Sequence, residues 1–491
     1  MRIQGILVVA LLVVFAGACG SGATEHAGSA PTRIEGLGSL SFPNSGNAEA
    51  QEPFLRGMLL LHSFEFEPAA EAFRAAQQAD GSFALAYWGE AMTYNHPLWR
   101  QQDRAAALEA LGRLGATPEA RAANAPTERE KLYLSALEAL YGESTKEERD
   151  QAYMRAMAGL QERFPDDLEA RAFHALAILG SRDGVRDFAT YMRAAATAQP
   201  VFDANPDHPG AAHYLIHAFD DPVHAPLGLT AARKYADIAP GAAHAQHMTS
   251  HIFVAMGMWE DVVAANIRAR DRQDADNLAQ GRRANVCGHY SSWLQYGHLM
   301  LEQVDEAGSL MDRCHARMAE EPTAEEQGYF ISMRARQILD TEDWSLASRW
   351  TWTPPASTSP ADSRRQFNYD WVNAFAALRR GDPAPARRLA ALTTSDDQTR
   401  IAGDELRGLL AIAAGRADEG LRTLEAAAAA EGALPFEFGP PRIVKPTSEL
   451  LGEELLKLGR IEQARAAFDL AAARTPGRAS VRRGIESAAR H

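Results

Sequence analysis

Apolar and small residues recur at fixed offsets along most of the chain, with polar residues between them. The stretch SELLGEELLKLGRIEQARAAFDLAAARTPGR shows the pattern at Gly452, Gly459, Ala464, Phe468, Ala471 and Pro476. Small residues let two helices approach closely, a glycine closes the turn between them, and a proline begins the next unit. The pattern therefore predicts pairs of antiparallel helices.

Units of the same kind occur upstream of this one. EFEPAAEAFRAAQQADGSFALAYWGEAMTY carries the same offsets, and shorter matches are GMWEDVVAANIRA, QVDEAGSLMDRC and GRADEGLRTLEAAAAA. Weaker units fill the gaps near 128–165, 168–206, 325–350 and 367–393. We count about ten to eleven units, which is the signature of a repeat protein.

These offsets resemble those of the tetratricopeptide repeat (TPR) family over nearly all of the chain. The resemblance implies an all-α fold, an α-solenoid of about ten to eleven TPR-like helix pairs forming a right-handed superhelix around a groove. FALAYWGEAMTYNHPLW and HPGAAHYLIHAFDDPVHAPLGL also resemble an exported bacterial family of His-rich TPR lipoproteins. That narrower resemblance implies fold and compartment and supplies no reaction.

The N-terminus is typical of an exported protein. One arginine precedes the apolar run Ile6–Phe15, which is short for a membrane span, and small residues then lead to Cys19. The ending AGAC resembles a lipobox, which implies lipidation at Cys19 and an outer-membrane anchor facing the periplasm. A plain secretory signal with a chance cysteine is the alternative.

Four segments follow from these patterns. Residues 1–18 are expected to be a lipoprotein signal peptide, 19–50 a flexible tether rich in Gly, Ser, Ala and Pro, 51–480 the superhelix, and 481–491 a C-terminal tail. The formal net charge is −14, and no Lys/Arg-rich face stands out. Nucleic acid is therefore not expected as a partner, and membrane contact is expected only through the lipid anchor.

Histidine is concentrated in the middle of the chain. Seven of the 15 histidines lie between residues 208 and 251, where they include two HxxxH pairs. His213 and His247 are 34 residues apart, and so are His217 and His251. Residues i and i+4 share one face of a helix. The TPR resemblance places all four on the first helices of adjacent units, facing the groove.

The sequence therefore predicts a metal site. Packed helices lie about 8–10 Å apart, so imidazoles from two helices can reach one ion. We expect His213, His217, His247 and His251 to share an ion, with His289 beside them. His-rich ligation suits a divalent transition metal, namely Zn, Cu or Fe. The alternative is that buried histidines are hydrogen-bonded fillers of the core.

Other residues are candidates for additional ligands or for orienting the imidazoles. His62 and His96, also 34 residues apart, end the first helices of the first two units in this register. Together with Glu90 they are expected to face the site from an opposite wall, and Asp220 and Asp221 supply nearby carboxylates. The further histidines at helix ends, which are expected to cap helices or to support ligands, are His208, His224 and His244.

Two further features leave alternatives open. Cys287 and Cys314 fall at the start and near the end of one helix pair, so a disulfide and two free thiols are both compatible with the sequence. The segment FEFGPPRIVKP, at 436–446, breaks the repeat spacing with three prolines. It is either a decoration or a lid over the groove.

Two functions fit these observations. The first is an exported TPR lipoprotein with a His-rich metal site in its groove, which acts as a metal-dependent enzyme if the ion keeps an open position. The second is a non-catalytic scaffold that binds a peptide or protein partner of the cell envelope. Histidine at groove positions favours the first, and a small-molecule ligand is compatible with either. The chain contains no P-loop, GxSxG, GxGxxG or HExxH motif.

Overall fold

A computed structural model of the chain describes residues 30–181, 186–353, 359–392, 396–436 and 438–491. Secondary structure in these ranges is almost entirely helical, which confirms the predicted all-α class. The α-helices are α1 Ala48–His62, α2 Phe66–Ala79, α3 Ala84–Met92, α4 Arg104–Leu114, α5 Pro118–Ala123, α6 Glu128–Leu140, α7 Lys146–Arg163, α8 Leu168–Gly180, α9 Phe188–Ala204, α10 Pro209–Phe219, α11 Ala225–Ile238, α12 Ala243–Met256, α13 Trp259–Ala279, α14 His289–Met300, α15 Val304–Arg317, α16 Ala324–Thr341, α17 Pro360–Arg379, α18 Ala384–Ala390, α19 Asp397–Ala413, α20 Ala417–Gly432, α21 Thr447–Lys457, α22 Ile461–Arg474 and α23 Ala479–Ala489. Two short 3-10 helices, Pro97–Trp99 and Trp344–Ser348, complete the set in these ranges.

The helices form an α-solenoid. Helices that follow one another along the chain pack together through short connections, which makes them antiparallel pairs. Ten pairs consist of two α-helices, α16 pairs with the 3-10 helix Trp344–Ser348, α5 lies between two pairs, and α23 closes the array. The structure therefore confirms the predicted count of ten to eleven units within the described ranges.

The last full unit shows why small residues recur. The ring of Phe468 on α22 lies between Gly452 on α21 and Gly484 on α23. A Cβ atom at Gly452 would come within 2.8 Å of this ring, and one at Gly484 within 2.4 Å. Gly459 adopts a φ of 73° in the turn between the two helices, a conformation that glycine adopts at little cost. The aromatic and the glycines of the repeat thus form one packing motif.

The segment before α1 is ordered, so the predicted flexible tether over 19–50 is wrong from Thr32 onward. Strands β1, Thr32–Ile34, and β2, Gly38–Leu40, pair antiparallel. The hairpin is fixed to later units, because Gly241 N donates to Gly36 O at 2.8 Å and Ser39 N donates to Asp207 O at 3.0 Å. The predicted signal peptide and Cys19 lie outside the described residues.

Two smaller features also differ from the sequence-based expectation. The predicted C-terminal tail over 481–491 is wrong, because most of it belongs to α23, which packs on α22. His96 does not end a helix, since α3 ends at Met92. His96 lies instead in β3, Asn95–His96, which pairs with β4, Gln101–Gln102.

The C-terminal units return to the middle of the array. Trp259 at the start of α13 donates its indole N–H to Gly477 O at 2.8 Å. The completely buried side chain of Arg478 pairs with Asp340 on α16 and with Glu449 on α21. Residues far apart in sequence therefore fix the last turn of the solenoid against its centre.

Cys287 and Cys314 form a disulfide, with their Cα atoms 4.6 Å apart. The bond joins the residues just before α14 to α15, within one helix pair. The structure thus selects one of the two alternatives that the sequence leaves open. None of the helices in the described ranges combines the length and the apolar character needed to cross a membrane.

Candidate metal centre

The central histidines lie on α10, α12 and α14, the first helices of three consecutive units. α10 carries His213 and His217 one turn apart, and α12 carries His247 and His251 in the same way. All four of these side chains are buried. His289 is the first residue of α14. The repeat thus brings imidazoles from three helices together, as the sequence predicts, but it divides them between two groups.

The first group, called triad A, is His247, His251 and His289. Nε2 of His247 lies 3.2 Å from Nε2 of His251 and 2.9 Å from Nε2 of His289. A ring nitrogen from each residue lies within 4.8 Å of those of the other two. Three imidazoles therefore point at one small volume, with spacings that suit ligands of a common ion.

Hydrogen bonds to Nδ1, the nitrogen that points away from the other histidines, orient His247 and His251 of triad A. His247 Nδ1 lies 2.8 Å from Asn266 Oδ1, and His251 Nδ1 lies 3.0 Å from Asp220 Oδ2. Both oxygens are acceptors, so Nδ1 of each ring carries the proton and a neutral ring presents a lone pair at Nε2. Lone pairs that face each other at 3.2 Å repel unless a cation lies between them. Such acceptors commonly support metal-ligating histidines.

The second group, called triad B, is His213, His217 and His244. A ring nitrogen from each lies within 4.8 Å of those of the other two. Nε2 of all three is buried and has no hydrogen-bond partner among the described residues. A buried polar atom without a partner costs about 1–3 kcal/mol, so three in one place call for an explanation.

Hydrogen bonds to Nδ1 also orient two of the three rings of triad B. His213 Nδ1 lies 2.7 Å from the backbone oxygen of His62, which is an acceptor, so the proton is on Nδ1. His217 Nδ1 lies 3.3 Å from Asp220 Oδ2. The free lone pair of both rings is therefore at Nε2, which is the unpartnered atom.

Asp220 connects the two triads, because its Oδ2 contacts Nδ1 of both His217 and His251. Its other oxygen pairs with the buried guanidinium of Arg186. Burial alone would raise the pKa of Asp220, but Arg186 and the hydrogen bonds from both histidines hold this pKa well below its usual range. One ionised carboxylate therefore fixes a ligand in each triad.

Burial keeps the imidazoles neutral. It is the largest cause that lowers the pKa of His217 to about 4 and that of His289 to about 3. The pKa values of His213, His244 and His247 lie well below the usual value for the same reason, and neighbouring histidines lower them further. Neutral imidazole is the form that binds metal ions, so these rings are ready to ligate at neutral pH.

A third cluster gives an instructive contrast. His62 Nε2 and His208 Nε2 lie 2.7 and 2.9 Å from the two oxygens of Glu169. Their Nδ1 atoms are also used, by the hydroxyl of Tyr214 and by the backbone N–H of Ala211. Every ring nitrogen of these two histidines has a partner, so this cluster is complete as a hydrogen-bonded network. His62 therefore touches triad B through its backbone oxygen, which accepts from His213, while its ring belongs to this separate network.

Two other predicted candidates lie elsewhere. Glu90 forms ion pairs with Arg74 and Arg113, so the prediction that it faces the histidines is wrong. The ring of His96 stacks on Phe66 with a centroid distance of 3.9 Å. Glu90 is thus satisfied by its ion pairs, and His96 lies one residue away from triad B, since Trp99 packs against both His96 and His244.

The remaining candidates are the aspartates and the histidines near helix ends, and only some of them have the predicted role. Asp221 contacts Arg186 and His224, and it is Asp220 that touches the triads. His208 accepts from the N–H of Ala211 at 3.1 Å, so it caps α10 as predicted. The prediction that His244 caps a helix is wrong, because α12 has Ala242 at its N-cap and no side-chain cap; His244 completes triad B instead.

Sequence reasoning missed the roles of several residues. His244 lies three residues before His247, a spacing that places both on one side of α12 and that was available from the sequence. Asn266 on α13 and Tyr329 on α16, which support His247 and His289, carry no sequence signal of their own. Tertiary packing alone brings them to the site.

Phe438 and Gly439 of the proline-rich segment lie against one side of triad A. Phe438 stacks on His251 with a centroid distance of 5.0 Å and an interplanar angle of 24°. Gly439 lies so close to Trp293 that a Cβ atom would come within 2.2 Å of the indole. Trp293 in turn stacks on His251 at 4.7 Å. Of the two alternatives left open by the sequence, the segment therefore has the position of a cover.

Comparisons with known proteins are limited to overall architecture. No family profile and no curated protein matches the chain. Solved structures that it is similar to include a human IFIT1 dimer with m7Gppp-AAAA, at 12% identity and a TM-score of 0.37, covering 91% of each chain. Another is yeast Tom70, at 11% identity and a TM-score of 0.33, covering 90% of this chain and 95% of that chain.

The TPR domain of P58(IPK) is also similar, at 12% identity and a TM-score of 0.22, over 90% of this chain and 98% of that chain. Likenesses of this size bear on the fold alone and carry nothing about ligands. The helix pairs and the repeat spacing of the chain itself establish the fold. The chain is an α-solenoid of TPR-like helix pairs.

Proposed function

We propose that the chain is a transition-metal-binding solenoid whose ion is held by triad A. The observation that carries the proposal is the convergence of three Nε2 atoms, each on a ring whose Nδ1 is already hydrogen-bonded. Imidazole ligands suit Zn, Cu and Fe and disfavour Mg and Ca. Without an ion, His247 and His251 would hold two lone pairs face to face in a buried site.

Three protein ligands leave a coordination position open, as in catalytic rather than structural zinc sites. We infer that the chain acts as a metal-dependent enzyme. Zinc held by these histidines would supply an activated water for hydrolysis, and copper or iron would support oxygen chemistry. The residues of the chain orient the ligands through Asp220, Asn266 and Tyr329, and Phe438 with Trp293 shields one ring from water.

We also propose that the chain is exported and anchored by a lipid at Cys19 to the outer membrane, facing the periplasm. The apolar run Ile6–Phe15 and the ending AGAC support this proposal. The disulfide between Cys287 and Cys314 supports it independently, because disulfides persist in oxidising compartments.

A second candidate function is a scaffold that binds an acidic peptide, a protein partner or a small anionic ligand. It is favoured by a cavity between α16, α17 and the segment 438–446, where Arg336, Arg364, Arg365 and Arg442 contribute to the lining. Arg336 is buried, and burial lowers its pKa to about 10. A negatively charged ligand would offset this cost.

Metal analysis of the purified chain tests the primary proposal. We expect bound Zn, Cu or Fe in the wild type and its loss in the double variant His247→Ala, His251→Ala, with helical content unchanged by circular dichroism. His298→Ala is the matched control, because His298 lies on α14 but bonds Gln303 instead of the triads. A wild type that binds no transition metal after reloading would overturn the proposal and favour the scaffold.

A further inference from the structure

We propose that triad B holds a second transition-metal ion, so that the solenoid carries a two-metal centre linked through Asp220. The inference rests on the proposed function, since it assumes that triad A binds metal. It deepens that function by assigning all six histidines and by defining the class of ligand that the centre accepts.

The unpartnered nitrogens of triad B carry the argument. Nε2 of His213, His217 and His244 is buried without a hydrogen-bond partner among the described residues. The His62–Glu169–His208 cluster shows that this fold satisfies buried imidazoles where they serve packing alone. Three unpartnered nitrogens, two of which present a lone pair because Nδ1 of their rings is the donor, are therefore best explained by an ion that all three histidines ligate.

The surroundings of triad B match those of a ligand set. The aromatic ring of Phe64 packs against His213, with ring centroids 4.2 Å apart, and also lies beside His217 and His244. Among the residues that the structure describes, no carboxylate forms a hydrogen bond with these Nε2 atoms. One soft or borderline cation can be ligated by all three nitrogens, whereas one water has only two protons to donate to them.

The two triads adjoin each other. The rings of His217 and His251 have centroids 5.4 Å apart, and those of His244 and His247 are 6.1 Å apart. Asp220 Oδ2 contacts the back of one ring in each triad, so an ion that polarises one ring affects the carboxylate shared with the other. The two proposed sites are therefore adjacent, and one carboxylate orients a ligand in each of them.

The charge of the two proposed ions, which the neutral imidazoles leave uncompensated, indicates which class of additional ligand the centre would bind. Six neutral imidazoles supply no negative charge to two dications. Asp220 and Asp221 lie nearby, but both pair with Arg186. Each ion also keeps an open position, because three ligands do not fill a four-coordinate shell. We infer that the centre takes an oxygen-donor anion, such as hydroxide or a substrate oxyanion, between the ions, as two-metal sites commonly do.

Metal stoichiometry tests the inference. The full chain is stripped with a chelator, dialysed against Zn(II) and analysed for metal per chain. We expect two ions in the wild type and one in the double variant His213→Ala, His244→Ala, with the remaining ion lost when His247→Ala is added. His298→Ala should retain both ions.

A wild type with one ion, lost on substitution of triad A alone, would overturn the second site and leave the proposed function intact. A wild type with no ion would overturn both. Because the alanine variants risk misfolding, Cu(II) loading of the wild type gives an independent measurement. Two neighbouring Cu(II) ions broaden or cancel each other's EPR signal, whereas two well-resolved isolated signals would contradict the two-metal centre.

Discussion

At the scale of single residues, the hydrogen bond to one ring nitrogen of a histidine determines whether the other nitrogen presents a lone pair to a metal ion. Asn266 shows this for His247. Its Nδ2 donates to the backbone oxygen of Val262 at 2.8 Å, which fixes the orientation of the amide. Its Oδ1 must then accept from His247 Nδ1, so the lone pair of His247 is at Nε2. Asn266 is thus a positioning residue for triad A.

We predict that Asn266→Leu weakens metal binding at triad A. The substitution removes the acceptor that fixes the ring, and loss of such supporting contacts typically lowers metal affinity about 10–100-fold. Competition with a chromogenic chelator measures the change. Asn266→Asp keeps an acceptor oxygen and should retain most of the affinity. Equal losses in both variants would contradict the positioning role.

The second prediction at this scale concerns pH. Because burial lowers the pKa of His217 to about 4, the unfolded chain binds protons more readily than the folded chain between pH 6.5 and 4. Stability of the metal-free chain should therefore fall as pH decreases through this window, by about 2 kcal/mol at pH 5 from His217 alone. Urea unfolding at pH 7 and pH 5 measures it.

The pH dependence of metal affinity should reflect the lowered pKa values of the buried histidines. Histidines with their usual pKa would lose the ion near pH 6.5. Since His217 and His289 stay neutral to about pH 4 and pH 3, protons compete with the ion only at lower pH. A binding midpoint near pH 6.5 would contradict the burial of these ligands.

The sequence predicted most of the residues of the site, but it did not predict their division into two triads. The 34-residue spacing placed His213, His217, His247 and His251 on the first helices of adjacent units, and the register of the next unit placed His289 beside them. The division into two triads depends on His244 and Asp220 and on side-chain rotation, which periodicity does not report. Glu90 failed as a candidate because basic residues on α2 and α4 take both of its oxygens.

At the scale of elements, the covering segment has a specific consequence. We predict that Phe438→Ala speeds release of metal from triad A to an external chelator. Loss of an aromatic contact worth about 0.5–1.5 kcal/mol corresponds to a roughly two- to tenfold change in rate. Stopped-flow chelation measures it. Phe436→Ala is the control, because Phe436 stacks on Phe188 instead. Identical rates in all three proteins would argue against a cover.

The elements themselves were predictable wherever the repeat was clear. Small residues around Phe468 specify the last helix pair, and the same pattern specifies the first. The hairpin before α1 was missed because Gly- and Ser-rich composition usually indicates a linker. Its order comes from long-range contacts, with Leu40 and Phe42 buried and Gly36 bonded to Gly241. Such contacts leave no local pattern.

At the scale of the whole molecule, buried charges hold the last turn in place. We predict that Arg478→Met destabilises the chain by about 3–5 kcal/mol, because it leaves the buried carboxylates of Asp340 and Glu449 without their cation. Urea unfolding measures the loss. Arg482→Met is the matched control, since Arg482 is half exposed and lies 4.0 Å from Glu302. A change within about 0.5 kcal/mol in both variants would contradict this account.

The contacts of both ends with the middle have a consequence for how the chain can change in evolution. An ordinary solenoid gains or loses units freely, because each unit touches only its neighbours. Here an inserted unit between α16 and α21 would carry Gly477 away from Trp259 and Arg478 away from Asp340. A deletion near the start would similarly separate Gly36 from Gly241. The contacts of both ends with the middle therefore fix the number of repeat units in this fold.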